Sequence, residues 1–361
     1  MINRTLPSMH LLLLSVLALL IGGCQSLGPT TVARDRFNYS NSIGDSWKRM
    51  TLLNIVKLRY VDPPIFVDVG QIVAGYSLEA SADVTGEIAT LGGGNTLGIG
   101  ASGTYNDRPT ITYTPLTGNK FIRSLMTPLT PESVFFTIQS GWPADGVLLA
   151  AVSTINGLRN RQATIHGTTP ADADFLKVLA LIRKIQVSGG VAFRIKQDAQ
   201  KQQTALLVLR QGGMSEAEAA DVAELRRLLG LNPKTSEFKL VFGAIAANDS
   251  EIAVLTCSII QIMATMAAEI DAPARDVAEG RAAPGWESSS NAQGSLRMIE
   301  IHSSTKLPAD AYAAVQYRGH WFWISDRDLK SKRTFAFMMM LFTLAETGDK
   351  EPPPLITIPA R

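Results

Sequence analysis

Chemistry needs convergent polar groups, and this chain carries few residues of the kinds that supply them. Its 361 residues include four histidines, His10, His166, His302 and His320, and two cysteines, Cys24 and Cys257. No H-E-x-x-H run and no Cys/His cluster offers three metal ligands at a workable spacing. Serine hydrolysis needs a nucleophile elbow, and G-x-S-x-G is absent. Carboxylate pairs such as Asp172 with Asp174 and Asp326 with Asp328 stand at helix starts, where capping accounts for them. Gly92-Gly93-Gly94-Asn95-Thr96 lacks the ending of a phosphate-binding loop. Two features remain. One is a weak polar constellation, Glu300, His302 and His320, which paired strands would bring together. The other is a set of three tryptophans, Trp286, Trp321 and Trp323, suited to a ligand, glycan or partner contact. No cofactor and no metal is implied.

The elements that must position these groups lie in the C-terminal half. Tyr312–Tyr317 and His320–Ser325 read as strands joined at Arg318-Gly319, a good two-residue hairpin signal. Alternation puts Trp321 and Trp323 on one face and Phe322 and Ile324 on the other. Ser295–His302 reads as a further strand, and 271–294 as a surface excursion that presents Trp286. A closing helix over 328–346, capped by Asp326 or Asp328, carries Lys330, Lys332 and Arg333 in its early turns. The helix dipole disfavours cations there, which marks them for a partner or anionic-lipid contact. Ile252–Ile270, the most apolar stretch of this half, reads as a central buried helix, just short of a membrane span.

In the N-terminal half, Ser46–Tyr60 reads as a helix with a broad apolar face, started at Asp45 and stopped by Asp62-Pro63-Pro64. Residues 71–84 and 97–115 read as antiparallel strands around a glycine loop. This Gly-rich β-hairpin is long enough to lie on a membrane or to join neighbouring subunits. Segments 118–129, 131–140, 171–187 and 216–229 read as helices, the last with a capping box at Ser215 and Glu218, and 145–155 reads as a buried helix or a strand. Segments 191–195, 204–209 and 239–245 read as strands. Strands that pair as hairpins, rather than alternating with helices, predict an α+β fold: antiparallel hairpins packed against several helices. The expected division is 43–165 and 166–361, or one continuous domain.

The address of the chain is written before residue 25. After Arg4, Leu11–Ile21 is apolar except for Ser15. At about 1.5 Å per residue this run cannot cross a hydrocarbon core of roughly 30 Å, and it fits the short core of a signal peptide. It ends in Ile21-Gly22-Gly23-Cys24, which resembles the lipobox of bacterial lipoproteins. The resemblance implies that 1–23 is removed as a signal peptide and that Cys24 becomes the first residue. Its sulfur then carries a diacylglycerol and its amine an acyl chain such as palmitate. Gln25, in place of an aspartate, implies transfer to the outer membrane, facing the periplasm. Residues 24–42 are polar and read as a flexible tether. With Cys24 lipidated, Cys257 has no partner in the chain and reads as a small buried hydrophobe.

The composition of the whole chain is globular, 18% charged and 46% hydrophobic. Thirty-four Lys and Arg against 32 Asp and Glu leave a formal charge of +2. That balance gives no electrostatic footprint for nucleic acid. The body resembles exported lipoproteins only in general and lends no residue a role. The expectation is a lipid-anchored protein of the cell envelope without a catalytic role. It would act as a structural or accessory component of an envelope protein assembly, binding another envelope protein or itself. The alternative is a periplasmic binder of a small ligand or glycan, or a hydrolase.

Overall fold

The computed structural model describes residues 27–73, 76–87, 96–164, 167–197, 203–286 and 297–346. Cys24, the glycine loop 88–95, His166, Ser288–Asn291 and the proline-rich segment from Glu351 lie outside the described residues. In chain order the elements are α1 (Leu27–Arg59), β1 (Phe66–Val73), β2 (Tyr76–Glu87), β3 (Thr96–Asp107), β4 (Thr110–Leu116), α2 (Asn119–Met126), α3 (Pro131–Gln139) and α4 (Ala144–Ala151). Then come β5 (Val152–Ile155), β6 (Leu158–Arg159), β7 (Gln162–Thr164), β8 (Gly167–Thr169), α5 (Ala173–Val187), β9 (Val191–Gln197), β10 (Gln203–Leu209) and α6 (Glu216–Leu229). The last are β11 (Glu237–Phe242), β12 (Glu251–Thr256), α7 (Ile259–Ala268), α8 (Ala274–Ala278), β13 (His302–Ser304), β14 (Ala311–Tyr317), β15 (His320–Ser325) and α9 (Leu329–Glu346). The fold is α+β, with several antiparallel sheets and multiple helices.

The chain divides into two units, residues up to 46 with 67–114, and 47–66 with the chain from 115 onward. The first holds the N-terminal part of α1 and a ribbon. β2 and β3 pair antiparallel without a break from Tyr76↔Asp107 to Glu87↔Thr96, and β1 pairs with β4. The expected Gly-rich hairpin is therefore present, but its strands are 76–87 and 96–107 rather than 71–84 and 97–115, with β1 and β4 as separate strands. A Cβ at Gly70 would stand 3.2 Å from the Thr114 hydroxyl, so glycine lets these two strands close up. Among the residues of this unit whose exposure is described, none is buried.

The second unit, the body, is built on a six-stranded sheet in the order β6-β5-β12-β11-β10-β9. All its pairs are antiparallel except β11 with β12, which run parallel. α3 and α5 pack on this sheet, and α9 packs against α7, α2 and β15. Phe175, Phe238, Phe322, Phe335 and Leu148 are fully buried in one continuous core. The caps follow from local chemistry. The Thr130 hydroxyl accepts the Ser133 amide at the start of α3, with Pro131 at the first helical position. Ser215 and Glu218 form the expected capping box of α6, which ends at Gly230 in the left-handed conformation, φ 64°. Asp328, rather than Asp326, accepts the Ser331 amide at 3.0 Å to start α9.

Four sequence expectations need correction. Residues 27–42 are helical, not a flexible tether, and α1 runs unbroken through Asp45 to Arg59. Adding turns to an existing helix is much easier than starting one, so the buried second half of α1 extends a first half that has no apolar period. The division is not at 165/166, because β5 and β6 share one sheet with β9–β12. The apolar run 252–270 is strand β12 followed by helix α7. A capping box of Ser258 and Gln261 marks the change, and a strand covered on both faces shows no alternation to betray it. Residues 145–155 likewise divide into helix α4 and strand β5. Cys257 is buried, as expected, within 3.5 Å of the Ser153 hydroxyl.

Candidate functional site

The tryptophan hairpin forms as its residues dictate. β14 and β15 pair from Ala311↔Ser325 to Tyr317↔His320, and Arg318 and Gly319 turn the chain with φ of 45° and 83°. Two successive positive φ values match the twist of the flanking strands. Phe322 and Ile324 are fully buried, whereas Trp321 and Trp323 are half-buried on the opposite parity. β13 adds the third strand at His302–Ser304, not over the expected 295–302, with His302 opposite Trp323.

This register splits the expected polar constellation. His302 shares the face of Trp323, and the two rings lie 4.8 Å apart. His302 Nε2 lies 3.9 Å from Glu300 and Nδ1 3.2 Å from Asp271. His320 falls on the other parity, opposite Tyr317 beside the turn, and does not join them. Its Nδ1 is buried without a hydrogen-bond partner among the described residues. Separate faces of one sheet cannot build one acid–base centre; Glu300 stays beside His302 as expected, and the closer partner, Asp271, is an unforeseen one.

Beside this face lies a buried polar centre. The Arg161 guanidinium pairs with Glu269, and the Glu269 side chain is fully buried. The second carboxylate oxygen of Glu269 accepts the Ile299 amide at 2.9 Å. Burial pushes the Glu269 carboxyl up and is offset by the Arg161 charge; burial pulls Arg161 down and is offset by Glu269. Arg59 donates to the Ala268 carbonyl at 3.1 Å, and burial lowers its pKa to about 10. Gly285 is tucked against this pair, where a Cβ would lie 2.3 Å from an Arg59 nitrogen and 2.8 Å from the Ala268 oxygen. Trp286 is no exposed anchor. Its ring covers Arg161 at 5.3 Å and its amide donates to Ala268 at 3.2 Å. The charges continue outward through Asp271, which pairs with Arg297 at 3.1 Å and reaches His302.

Nothing in the local sequence marks Arg59 or Arg161 as buried, and Glu269 closes the apolar run 252–270. The signal was that same carboxylate, since an acid closing a long apolar stretch needs a buried cation. The centre ties α1, α7 and the segments around 161, 285 and 299 together. It offers no nucleophile with an adjacent base.

Comparison with protein-family models, with curated proteins and with solved structures finds no match to this chain.

The body also contains a half-open cleft of about 550 Å³. Its apolar wall includes Trp142, Val147, Leu176, Leu179 and Phe337, with Trp142 and Phe337 rings 5.2 Å apart. Arg297, Lys330, Arg333 and Asp145 stand at its polar lining. Asp145 faces Arg183 at 3.8 Å, and Lys332 is bound to Asp326 at 2.6 Å. Lys330 and Arg333 form no ion pair among the described residues. Among those residues, no group of His, Cys, Asp and Glu could hold a metal ion, and no helix is long and apolar enough to cross a membrane.

Proposed function

We propose that this chain is a lipid-anchored protein of the bacterial outer membrane, facing the periplasm, that serves as a structural component of an envelope assembly. The observation that carries the reading is the β2–β3 ribbon. It is an unbroken twelve-pair antiparallel ladder with no third strand among the described residues. Two-stranded ribbons are marginal alone in water, and open edges invite pairing with another chain. The Ile21-Gly22-Gly23-Cys24 run supports the anchor. Two or more acyl chains hold a protein at a membrane stably. The scattering of His302 and His320 onto opposite faces supports a non-catalytic role for that hairpin.

The test is mass spectrometry of the N-terminal peptide from native membranes, with a detergent pulldown comparing the wild type with Cys24→Ala. A lipid-modified Cys24, together with a stoichiometric partner or copy retained by the anchored form, is the expected result. A free Cys24 thiol in the mature chain, or a monomer with no partner, overturns it.

A second reading is favoured by the cleft. Its apolar wall and the Lys330 and Arg333 side chains at its lining suit a small amphiphile with an anionic head. Arg333→Glu would weaken such binding if the cleft is the site.

A further inference from the structure

The register of the ribbon sorts its residues into two kinds. Leu78↔Tyr105, Ala82↔Ala101 and Val84↔Ile99 fall on one parity. Glu79↔Thr104, Ser81↔Ser102 and Asp83↔Gly100 fall on the other. Strand alternation thus gives β2 and β3 a common apolar face and a common polar one. The same period continues in β4, where Ile111 and Tyr113, 38% and 62% exposed, alternate with Thr110, Thr112 and Thr114. On the polar parity, the Ser81 and Ser102 hydroxyls are exposed and hydrogen-bonded to each other across the strands at 2.7 Å.

We propose that the β2–β3 hairpin is a membrane-spanning element, and that several copies of this chain pair their hairpins edge to edge into one closed β-barrel. The inference rests on the envelope-component reading above and names the partner as further copies of the chain. Three arguments carry it. Twelve residues at about 3.3 Å each make a strand of roughly 40 Å, which at a tilt of about 40° covers the hydrocarbon layer. Apolar residues alternating with Ser, Thr, Glu and Asp are the pattern of a strand with lipid on one side and water on the other. Finally, the outer edges of both β2 and β3 lack a strand partner among the described residues. Lipid offers no hydrogen bonds, so a two-stranded ribbon cannot enter it with those edges open. A single hairpin cannot close on itself. If the free edge of β2 pairs with the free edge of β3 in the next copy, the sheet stays antiparallel throughout and the strand number even. A head-to-tail contact of this kind closes into a ring when the rotation between copies divides a full turn. The lumen would be lined by the parity that carries the Ser81 and Ser102 hydroxyls.

The test uses full-length chain extracted from native membranes and reconstituted into phosphatidylethanolamine–phosphatidylglycerol vesicles. Single Val84→Cys, Ile99→Cys, Ser81→Cys and Asp83→Cys variants each carry an environment-sensitive fluorophore. Positions 84 and 99 are expected to be quenched by a lipid-borne quencher, and 81 and 83 by aqueous iodide. The detergent-solubilised particle is expected to have the mass of several copies. Val84→Asp combined with Ile99→Asp should return it to monomers while the melting temperature of the body stays unchanged. Uniform iodide quenching, uniform protection from both quenchers, or a one-copy mass for the wild type overturns the barrel. Mass spectrometry of the same sample separates the two readings. Lipid on Cys24 without the alternation leaves the anchor standing and removes the barrel. Alternation with an unmodified Cys24 does the reverse.

Discussion

In the body, Phe322 and Ile324 alternate with Trp321 and Trp323, and the apolar parity is fully buried beneath the rest of the core. In the ribbon, Leu78, Ala82 and Val84 alternate with Glu79, Ser81 and Asp83 at the same period. Yet no residue of that unit whose exposure is described is buried. Alternation reports which face is driven out of water and says nothing of what covers it. In the body the cover is α1 and α9 of the same chain. In the ribbon, by our reading, it is lipid on the face and further copies at the edges. The edges differ in the same way, since β5, β12, β11 and β10 each have two strand neighbours, whereas β2 and β3 have one among the described residues.

That contrast can be broken or sharpened by substitution. The largest effect is expected at the buried ion pair. Glu269→Ala leaves Arg161 buried and uncompensated, and should cost about 3–5 kcal/mol by denaturant unfolding. Phe322→Ala, a fully buried site, should cost about 3–5 kcal/mol in the same measurement, whereas Ile111→Ala in the ribbon should change it by less than about 0.5 kcal/mol. Equal losses at both positions would show the ribbon to share the body's core and would remove the contrast. Gly285→Ala should cost about 1–3 kcal/mol through its clash with Arg59 and the Ala268 carbonyl, visible as a lower melting temperature. Ser215→Ala removes one half of the α6 capping box and should cost about 1 kcal/mol.

The smallest effect is a pH dependence. Burial pushes the Asp328 carboxyl up, but hydrogen bonds from the Ser331 hydroxyl and the Ser331 and Lys330 amides outweigh it and hold it below the ordinary 3.8. A depressed carboxyl contributes stability above its unfolded pKa and loses it as pH falls through the folded one. Melting temperatures of the body should therefore fall below about pH 4, and Asp328→Asn should flatten that decline. An unchanged acid limb would assign it to other carboxylates, such as Glu218 and Glu237, which their hydrogen-bond partners also hold low.

Much of the candidate site was legible as parts and not as a whole. The parity of Trp321 against Phe322 and the turn at Arg318-Gly319 could be read directly, because both are fixed within a few residues. That His302 would meet Asp271, while His320 would not join it, depends on which strand neighbours β15. Trp286 was visible as a residue of interest, but its cover over Arg161 joins positions far apart in the chain.

The sequence by itself determined the local devices: the capping box at Ser215, the hairpin turn at Arg318-Gly319, the alternation of the ribbon and the α+β character. These follow from dihedral preferences and from side chains within hydrogen-bond reach of their own backbone. Tertiary structure alone decided the six-stranded sheet that crosses residue 165 and the Arg161–Glu269 pair. Each is settled by what a segment is buried against, and burial depends on partners that local spacing does not encode.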